Sequence, residues 1–236
     1  MSATLEVTGV SVHFGGVTAV DDAHISADAG SVTGLIGPNG AGKTTLFNVI
    51  TGVQPATTGT VTLEGTDISR LPTFRRARLG MARTFQRLEL FWTLSVLDNV
   101  LVAAEQAGDP TPAETAQRLL ERVGVGQLAG EQAGSLPTGS ARLVEVARAL
   151  ACEPKVLLLD EPASGLDETE TRQLGVLLRS LAGEGLAVLL VEHDMSLVME
   201  ICDTVSVLDL GRVIASGTPA EVRAHPMVIE AYLGAA

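Results

Sequence analysis

The stretch Gly37-Pro38-Asn39-Gly40-Ala41-Gly42-Lys43-Thr44 fits the pattern GxxxxGK followed by Ser or Thr, with Thr45 next in line. These residue types suit one task, the grip on a phosphate. Glycines let successive main-chain N–H groups turn inward and approach phosphate oxygens. A helix that starts near Gly42 adds its positive end to the same spot. Lys43 can reach the β- and γ-phosphates of a nucleoside triphosphate, and the Thr44 hydroxyl is a natural Mg²⁺ ligand. At this chain's own residue frequencies the pattern would arise by chance about 0.003 times. The chain has two lysines, Lys43 and Lys155, and one of them sits in the pattern. A chance glycine-rich turn would not account for that.

A second chemical feature is Val156-Leu157-Leu158-Leu159-Asp160-Glu161, an apolar run that ends in two acids. A carboxylate at a strand end can hold Mg²⁺, mostly through water, because Mg²⁺ keeps part of its shell. Asp160 is the candidate ligand. The neighbouring Glu161 can polarise a water for attack on a γ-phosphate. Acids also end strands simply because strands end at solvent, so the phosphate loop upstream is what gives the pair its meaning. His193 follows another apolar run, and its ring can hydrogen-bond a γ-phosphate from the same sheet edge. Gln86 closes the segment MARTFQ and can ligate the metal or sense the attacking water. On residue type alone, a surface or structural ring is the plainer reading of His193, and a surface amide that of Gln86.

These groups need a scaffold that brings them to one edge. Residues 32–36 read as a strand before the loop, and residues 43–53 as a helix with Leu46, Val49 and Ile50 on one face. Residues 4–36 read as strands, with TLEVTGVSVHF alternating through Leu5, Val7 and Val10, 61–63 return as a strand, and 71–79 read as a basic helix. From about 87 to 151 the strand signal fades. Helix formers and two Pro/Gly breaks mark a helical insert, whose last helix, 140–151, spaces Leu143, Val146, Ala147 and Leu150 for one face. From Lys155 the αβ alternation resumes. VLLLD and LAVLLVEHD are continuous apolar runs, as in parallel strands covered on both faces. Residues 169–182 read as a helix with Leu174, Leu177, Leu178 and Leu181 inward, and a hairpin turns at Leu210-Gly211. The class is α/β.

Composition narrows the function classes. The 236 residues are 46% apolar and 19% charged, which suits a folded domain with its own core. The net charge of −12 argues against a general nucleic-acid binder. Cys152 and Cys202 form no metal-binding or disulfide pattern. No apolar run approaches the ~20 residues of a membrane span. The opening MSATLEVTGV has neither a charged n-region nor an apolar h-region, so no secretory leader is expected.

Taken together, the motifs resemble the ATP-binding domain of ABC transporters over nearly the whole chain. GPNGAGKTT is similar to the family's Walker A, LLLDEP to its Walker B with the catalytic Glu, and residues 164–167 to its D-loop. VEHDM carries the switch His, and Gln86 falls at the Q-loop. The resemblance implies a P-loop NTPase (RecA-like) core with a mixed sheet, an N-terminal antiparallel β subdomain and an inserted helical subdomain. One domain would span 1–236, its core about 1–86 and 153–236, its helical part about 87–152. It also implies ATP and Mg²⁺ as cofactors. Glu161, His193 and Lys43 would be catalytic. Phe14 would stack on adenine. Asn39, Gly40, Ala41, Gly42, Lys43, Thr44, Thr45, Gln86 and Asp167 would line the nucleotide, with Gly139 reaching it in trans. Thr44, Gln86 and Asp160 would serve the metal.

Family members pair head to tail, each ATP lying between one Walker A and the other subunit's signature loop. Here the chain departs from the family. In place of LSGGQ it reads Leu136-Pro137-Thr138-Gly139-Ser140. Pro137 has neither the hydroxyl nor the N–H of the usual Ser. Either the chain pairs with a different ATPase that carries a better signature, or the change is tolerated at a slower rate. Within the family the chain most resembles the ATP-binding subunits of branched-chain amino acid importers, through Phe14-Gly15-Gly16 with AVDD, through MARTFQ leading into LFWTLSVLDNVLVA, and through VIEAYLG near the C-terminus. Importers of urea and short amides and lipopolysaccharide-type exporters share parts of these, and a soluble non-transport ABC ATPase is a further alternative. The implied partners are a second ABC domain, identical or different, membrane permease subunits, and indirectly a periplasmic or extracellular solute-binding protein, with no nucleic acid. The implied location is the cytoplasmic face of the cell membrane. Arginines 70, 75, 76, 78, 83 and 87 are expected to form a solvated face, or to meet acidic permease loops or lipid head groups.

Overall fold

The computed structural model describes residues 3–233. Gly234, the last residue of VIEAYLG, lies outside the described residues.

Alternation in the N-terminal segment produces β1 (Leu5–Phe14) and β2 (Val17–Ala27), an antiparallel pair. β3 (Val32–Ile36) is buried along its whole length, and α1 (Lys43–Thr51) follows it. β4 (Thr58–Leu63) pairs antiparallel with β1, and the short β5 (Thr66–Asp67) extends that sheet. Then come α2 (Thr73–Arg78) and β6 (Met81–Arg83). The middle of the chain holds α3 (Val96–Ala107), α4 (Pro112–Arg122) and α5 (Thr138–Leu150). β7 (Val156–Asp160), α6 (Glu168–Gly183), β8 (Ala187–Val191) and α7 (Met195–Ile201) restore the αβ alternation. The hairpin β9 (Thr204–Asp209) and β10 (Arg212–Gly217) precedes α8 (Pro219–Ala224) and α9 (Pro226–Leu233).

Among the described residues two sheets form, one of four strands in the order β2-β1-β4-β5 and one of six in the order β10-β9-β3-β8-β7-β6. In the second sheet β6, β7, β8, β3 and β9 run parallel and β10 antiparallel. Its central strands are apolar on both faces because both faces are covered. Leu35, Leu158 and Leu189 join a core with α1 and the four-stranded sheet, while Leu157, Leu159 and Leu190 join a core with the helices. Each such buried leucine contributes about 1.5–3 kcal/mol. Truncation to Ala would cost about 2–5 kcal/mol, since the structure around the cavity relaxes only in part.

Some details differ from the sequence-based expectation, each for a local reason. α1 stops at Thr51, where the residue after it, Gly52, takes φ 77° and its N–H caps Asn48 O and Val49 O. Leu177 on α6 is only half-buried. β6 has just three residues, too few for a periodic signal, and pairs with β7 at the edge of the sheet.

The arginine cluster is also different from a solvated face. Arg70, Arg75, Arg78 and Arg87 are exposed, but Arg76 is 2% exposed. Its guanidinium donates to the carbonyls of Val49 and Ile50 at the end of α1, and to those of Ser69 and Leu71. The last carbonyls of a helix lack intrahelical partners and carry the negative end of its dipole, so a buried cation there is stabilised. Arg83 is internal as well, paired with Asp160.

Candidate functional site

The parallel strands deliver their carboxyl ends to one edge. Leu35 and Asp160 both lie opposite Val191, so the residues that follow β3, β7 and β8 emerge side by side. In open α/β sheets ligands bind outside these ends.

After β3 the chain turns through residues 37–42 into α1. Gly37 and Gly42 are obligatory. At Gly37, φ 153°, a Cβ would sit 1.9 Å from Leu208 O, and at Gly42, φ 106°, one would sit 2.4 Å from Ala19 O. Asn39 and Gly40 are exposed, Ala41 is buried, Thr44 is exposed and Thr45 half-buried. The first turn of α1 has no acidic side chain, and its leading N–H groups have no partner within the helix. Lys43 is folded onto the loop, with Nζ donating to Gly37 O at 2.6 Å and Pro38 O at 2.9 Å. Burial lowers its pKa, while the nearby charges of Glu161 and Asp160 act to raise it. The lysine is therefore short of solvent, folded onto the loop carbonyls and close to the charges of Glu161 and Asp160.

Glu161 follows β7 with φ 50°, a left-handed conformation that costs a non-glycine residue about 1–2 kcal/mol. Its N–H is pinned to Val191 O at 2.9 Å. The carboxylate is held from two sides: Oε1 lies 2.7 Å from His193 Nε2, and Oε2 accepts from Gln86 Nε2 at 2.8 Å. Three sequence-predicted residues that lie far apart in the chain thus meet. Asp160, one residue earlier, is 5% exposed, and its Oδ2 accepts from the Arg83 guanidinium at 2.7 Å.

Glu192 escaped the sequence reading. It is 4% exposed and accepts from the N–H groups of Ala163, His193 and Asp194. It ties the segment after Glu161 to the one that carries His193. The only signal was its place beside His193 at a strand end. A second unforeseen network joins α5 to the segment that bears Gln86. Arg142 donates to Phe85 O and Gln86 O, Glu145 accepts from Glu89 N, and Arg148 donates to Glu89 O. Burial pushes the Glu145 carboxyl above its ordinary range, against the pull of these donors.

Other sequence-predicted residues stand apart from the Glu161 cluster. Phe14 ends β1 with its side chain half exposed at 52%. Asp167 caps α6 in a capping box with Glu170. Gly139, in the first turn of α5, lies against the Glu170 carboxylate, where a Cβ would come within 2.2 Å. Pro137 stands at the N-cap of α5 with no side-chain cap. No hydrogen bond among the described residues links Phe14, Asp167 or Gly139 to Glu161.

Residues 20–164 match the ABC transporter family, and residues 212–236 match the branched-chain amino acid ATP-binding cassette transporter family. This chain belongs to the ABC transporter ATP-binding family. It is an ATPase of that family, the energy subunit of an ATP-driven transporter. Over 98% of both chains it is 42% identical to the high-affinity branched-chain amino acid transport ATP-binding protein BraF of Pseudomonas aeruginosa. It is 40% identical to LivG, of the same description, from Escherichia coli K12, again over 98% of both. The lipopolysaccharide export system ATP-binding protein LptB of E. coli K12 is 36% identical over the same shares. Among solved structures, an ATP-binding cassette of an ABC transporter in its ADP conformation matches with a TM-score of 0.90 and 31% identity, over 99% of this chain and 100% of that one.

The donors at the edge of the sheet of this ABC ATPase fit magnesium. Thr44, Gln86 and Asp160 offer hard oxygens. Asp160 Oδ2 is engaged by Arg83, and Oδ1 has no protein partner among the described residues and is not shut off from solvent. Among the described residues no cluster of three or more His, Cys, Asp or Glu forms a ready cage. Magnesium needs none, because it is held by one or two protein oxygens together with phosphate oxygens and water.

Proposed function

We propose that this chain is the ATP-hydrolysing subunit of a membrane importer for branched-chain amino acids. The observation that carries the chemistry is the placement of Glu161, held by both His193 and Gln86, on the edge where the phosphate loop opens. Main-chain N–H groups of residues 39–45 and the Lys43 ammonium bind the β- and γ-phosphates, and Phe14 packs on the base. Thr44, Asp160 and Gln86 hold magnesium, which supplies charge neutralisation on the phosphate oxygens when bound. Glu161 accepts a proton from the attacking water, and His193 fixes that carboxylate and faces the γ-phosphate.

Two ATPase subunits close head to tail, so that Gly139 and Asp167 of one approach the nucleotide of the other. The exposed Gln86 segment and the exposed arginines near it, Arg70, Arg75, Arg78 and Arg87, face permease loops. No helix among the described residues is long and apolar enough to cross a membrane. The site then lies on the cytoplasmic face, with the solute-binding protein reached only through the permease.

The match over residues 212–236 and the identities of 40–42% support branched-chain amino acids over the exporter reading, whose relative stands at 36%. Reconstitution of the chain with its co-purified permeases tests the solute. ATP-dependent uptake of leucine, isoleucine or valine is the expected result. Uptake of urea or a short amide, with no leucine uptake, would overturn it.

A further inference from the structure

Arg83 is unlike the other arginines of its cluster. Its side chain is 8% exposed and that of Asp160 is 6% exposed, so the pair is largely buried. The guanidinium spreads over two elements. One arm donates to Asp160 Oδ2 at 2.7 Å, while the other donates to Asn48 Oδ1 at 2.8 Å and Thr51 Oγ1 at 3.2 Å on α1. Two rings flank its plane, Phe85 with its centroid at 4.8 Å and Phe47 at 5.6 Å. Nε has no partner among the described residues, so its position comes from the fork and the rings. A buried ion pair is a poor source of net stability, because desolvation offsets most of the attraction. What this one provides is direction. A planar fork with both arms engaged can fix a carboxylate in a way that a point charge on a flexible stem cannot.

We propose that Arg83 is a positioning residue for the magnesium carboxylate. It locks Asp160 by one oxygen and ties it to the phosphate-loop helix, leaving the other oxygen to serve the metal that arrives with the nucleotide. The inference rests on the Mg-nucleotide reading of the site. It also explains why a three-residue edge strand carries both an internal arginine and, three positions on, the Gln86 amide. One short segment sets the Asp160 carboxylate and reaches the Glu161 carboxylate. Partners that orient metal ligands typically govern metal affinity by 10- to 100-fold.

The test separates metal from nucleotide. ADP affinity is measured by calorimetry in EDTA, and Mn²⁺ is then titrated into the protein–ADP complex and followed by electron paramagnetic resonance. The variants are Arg83→Met, Arg83→Lys and Asn48→Ala in the full chain, with melting curves to report folding. Metal-free ADP affinity is expected to stay within about twofold, while Mn²⁺ affinity falls about 10- to 100-fold in both Arg83 variants. Asn48→Ala, which removes one of the two partners of one arm and leaves Thr51, should show a smaller loss of the same sign. If Arg83→Met does not fold, the other two variants carry the measurement. Unchanged Mn²⁺ affinity in folded Arg83 variants would overturn the proposal. So would a parallel fall of ADP and Mn²⁺ affinities, which would make Arg83 merely structural. If the wild-type chain binds no ADP in EDTA, the nucleotide reading fails instead, and the proposal with it.

Discussion

His193 Nε2 and Glu161 Oε1 are 2.7 Å apart, with the histidine 45% and the glutamate 18% exposed in their side chains. The ring thus braces the carboxylate from the open side of the site. His193→Ala removes that brace and leaves the phosphate loop untouched. ATP affinity should stay within about twofold, and phosphate release should slow by about 100-fold. Turnover at the wild-type rate would mean that His193 has no part in the chemistry.

Pro137 caps α5 without a side-chain bond, and it stands where the family has a serine. Pro137→Ser restores both a hydroxyl for the partner's nucleotide and a helix cap. The cap alone is worth about 1 kcal/mol, or roughly 2–4 °C in melting temperature for a chain this size. ATPase activity should rise if the altered signature limits turnover. A raised melting temperature with unchanged activity would assign compensation to Thr138 or Ser140.

Three carboxyls at the surface, two exposed and Asp109 half-buried, sit below their ordinary range: Asp67 through the Ser69 hydroxyl and N–H, Asp109 through the Thr115 hydroxyl and the Thr111 N–H, and Glu221 through the Thr218 N–H and hydroxyl. Each binds fewer protons folded than unfolded. Its stabilisation is therefore complete above the ordinary value of about 4 and is lost as pH falls through the folded value. Glu145 has the opposite sign, its contribution fading as pH rises through its raised value. Melting temperature should thus drop between about pH 5 and pH 3, and it should drop less in the triple variant Asp67→Asn, Asp109→Asn, Glu221→Gln. Identical acid limbs by calorimetry would contradict this.

Sequence reading reached the parts of the site that have a local cause. The phosphate loop is legible because its glycines have no substitute at those φ angles, and Glu161 and His193 because each ends a continuous apolar run. What escaped depends on register between distant strands. Nothing local marks Arg83 as internal, since its partner Asp160 is 77 residues away and meets it only because β6 pairs with β7. Arg76 hid among exposed arginines for the same reason: the carbonyls it caps belong to a helix that ends more than twenty residues earlier. Glu192 reads as one more acid at a strand end until Ala163 N–H is seen to point at it. The altered signature was visible at once, and its surroundings were not, because Gly139 lies against Glu170 of α6.

The most direct measurement is made on Glu161→Gln with Mg-ATP, following bound nucleotide and released phosphate together. The substitution keeps the shape and the hydrogen-bonding reach of the side chain and removes its capacity to take a proton. The expected result is ATP bound as tightly as in the wild-type chain and recovered uncleaved from a closed pair of subunits. Cleavage at the wild-type rate would contradict the role of Glu161, and absence of ATP from the wild-type protein would contradict the site itself.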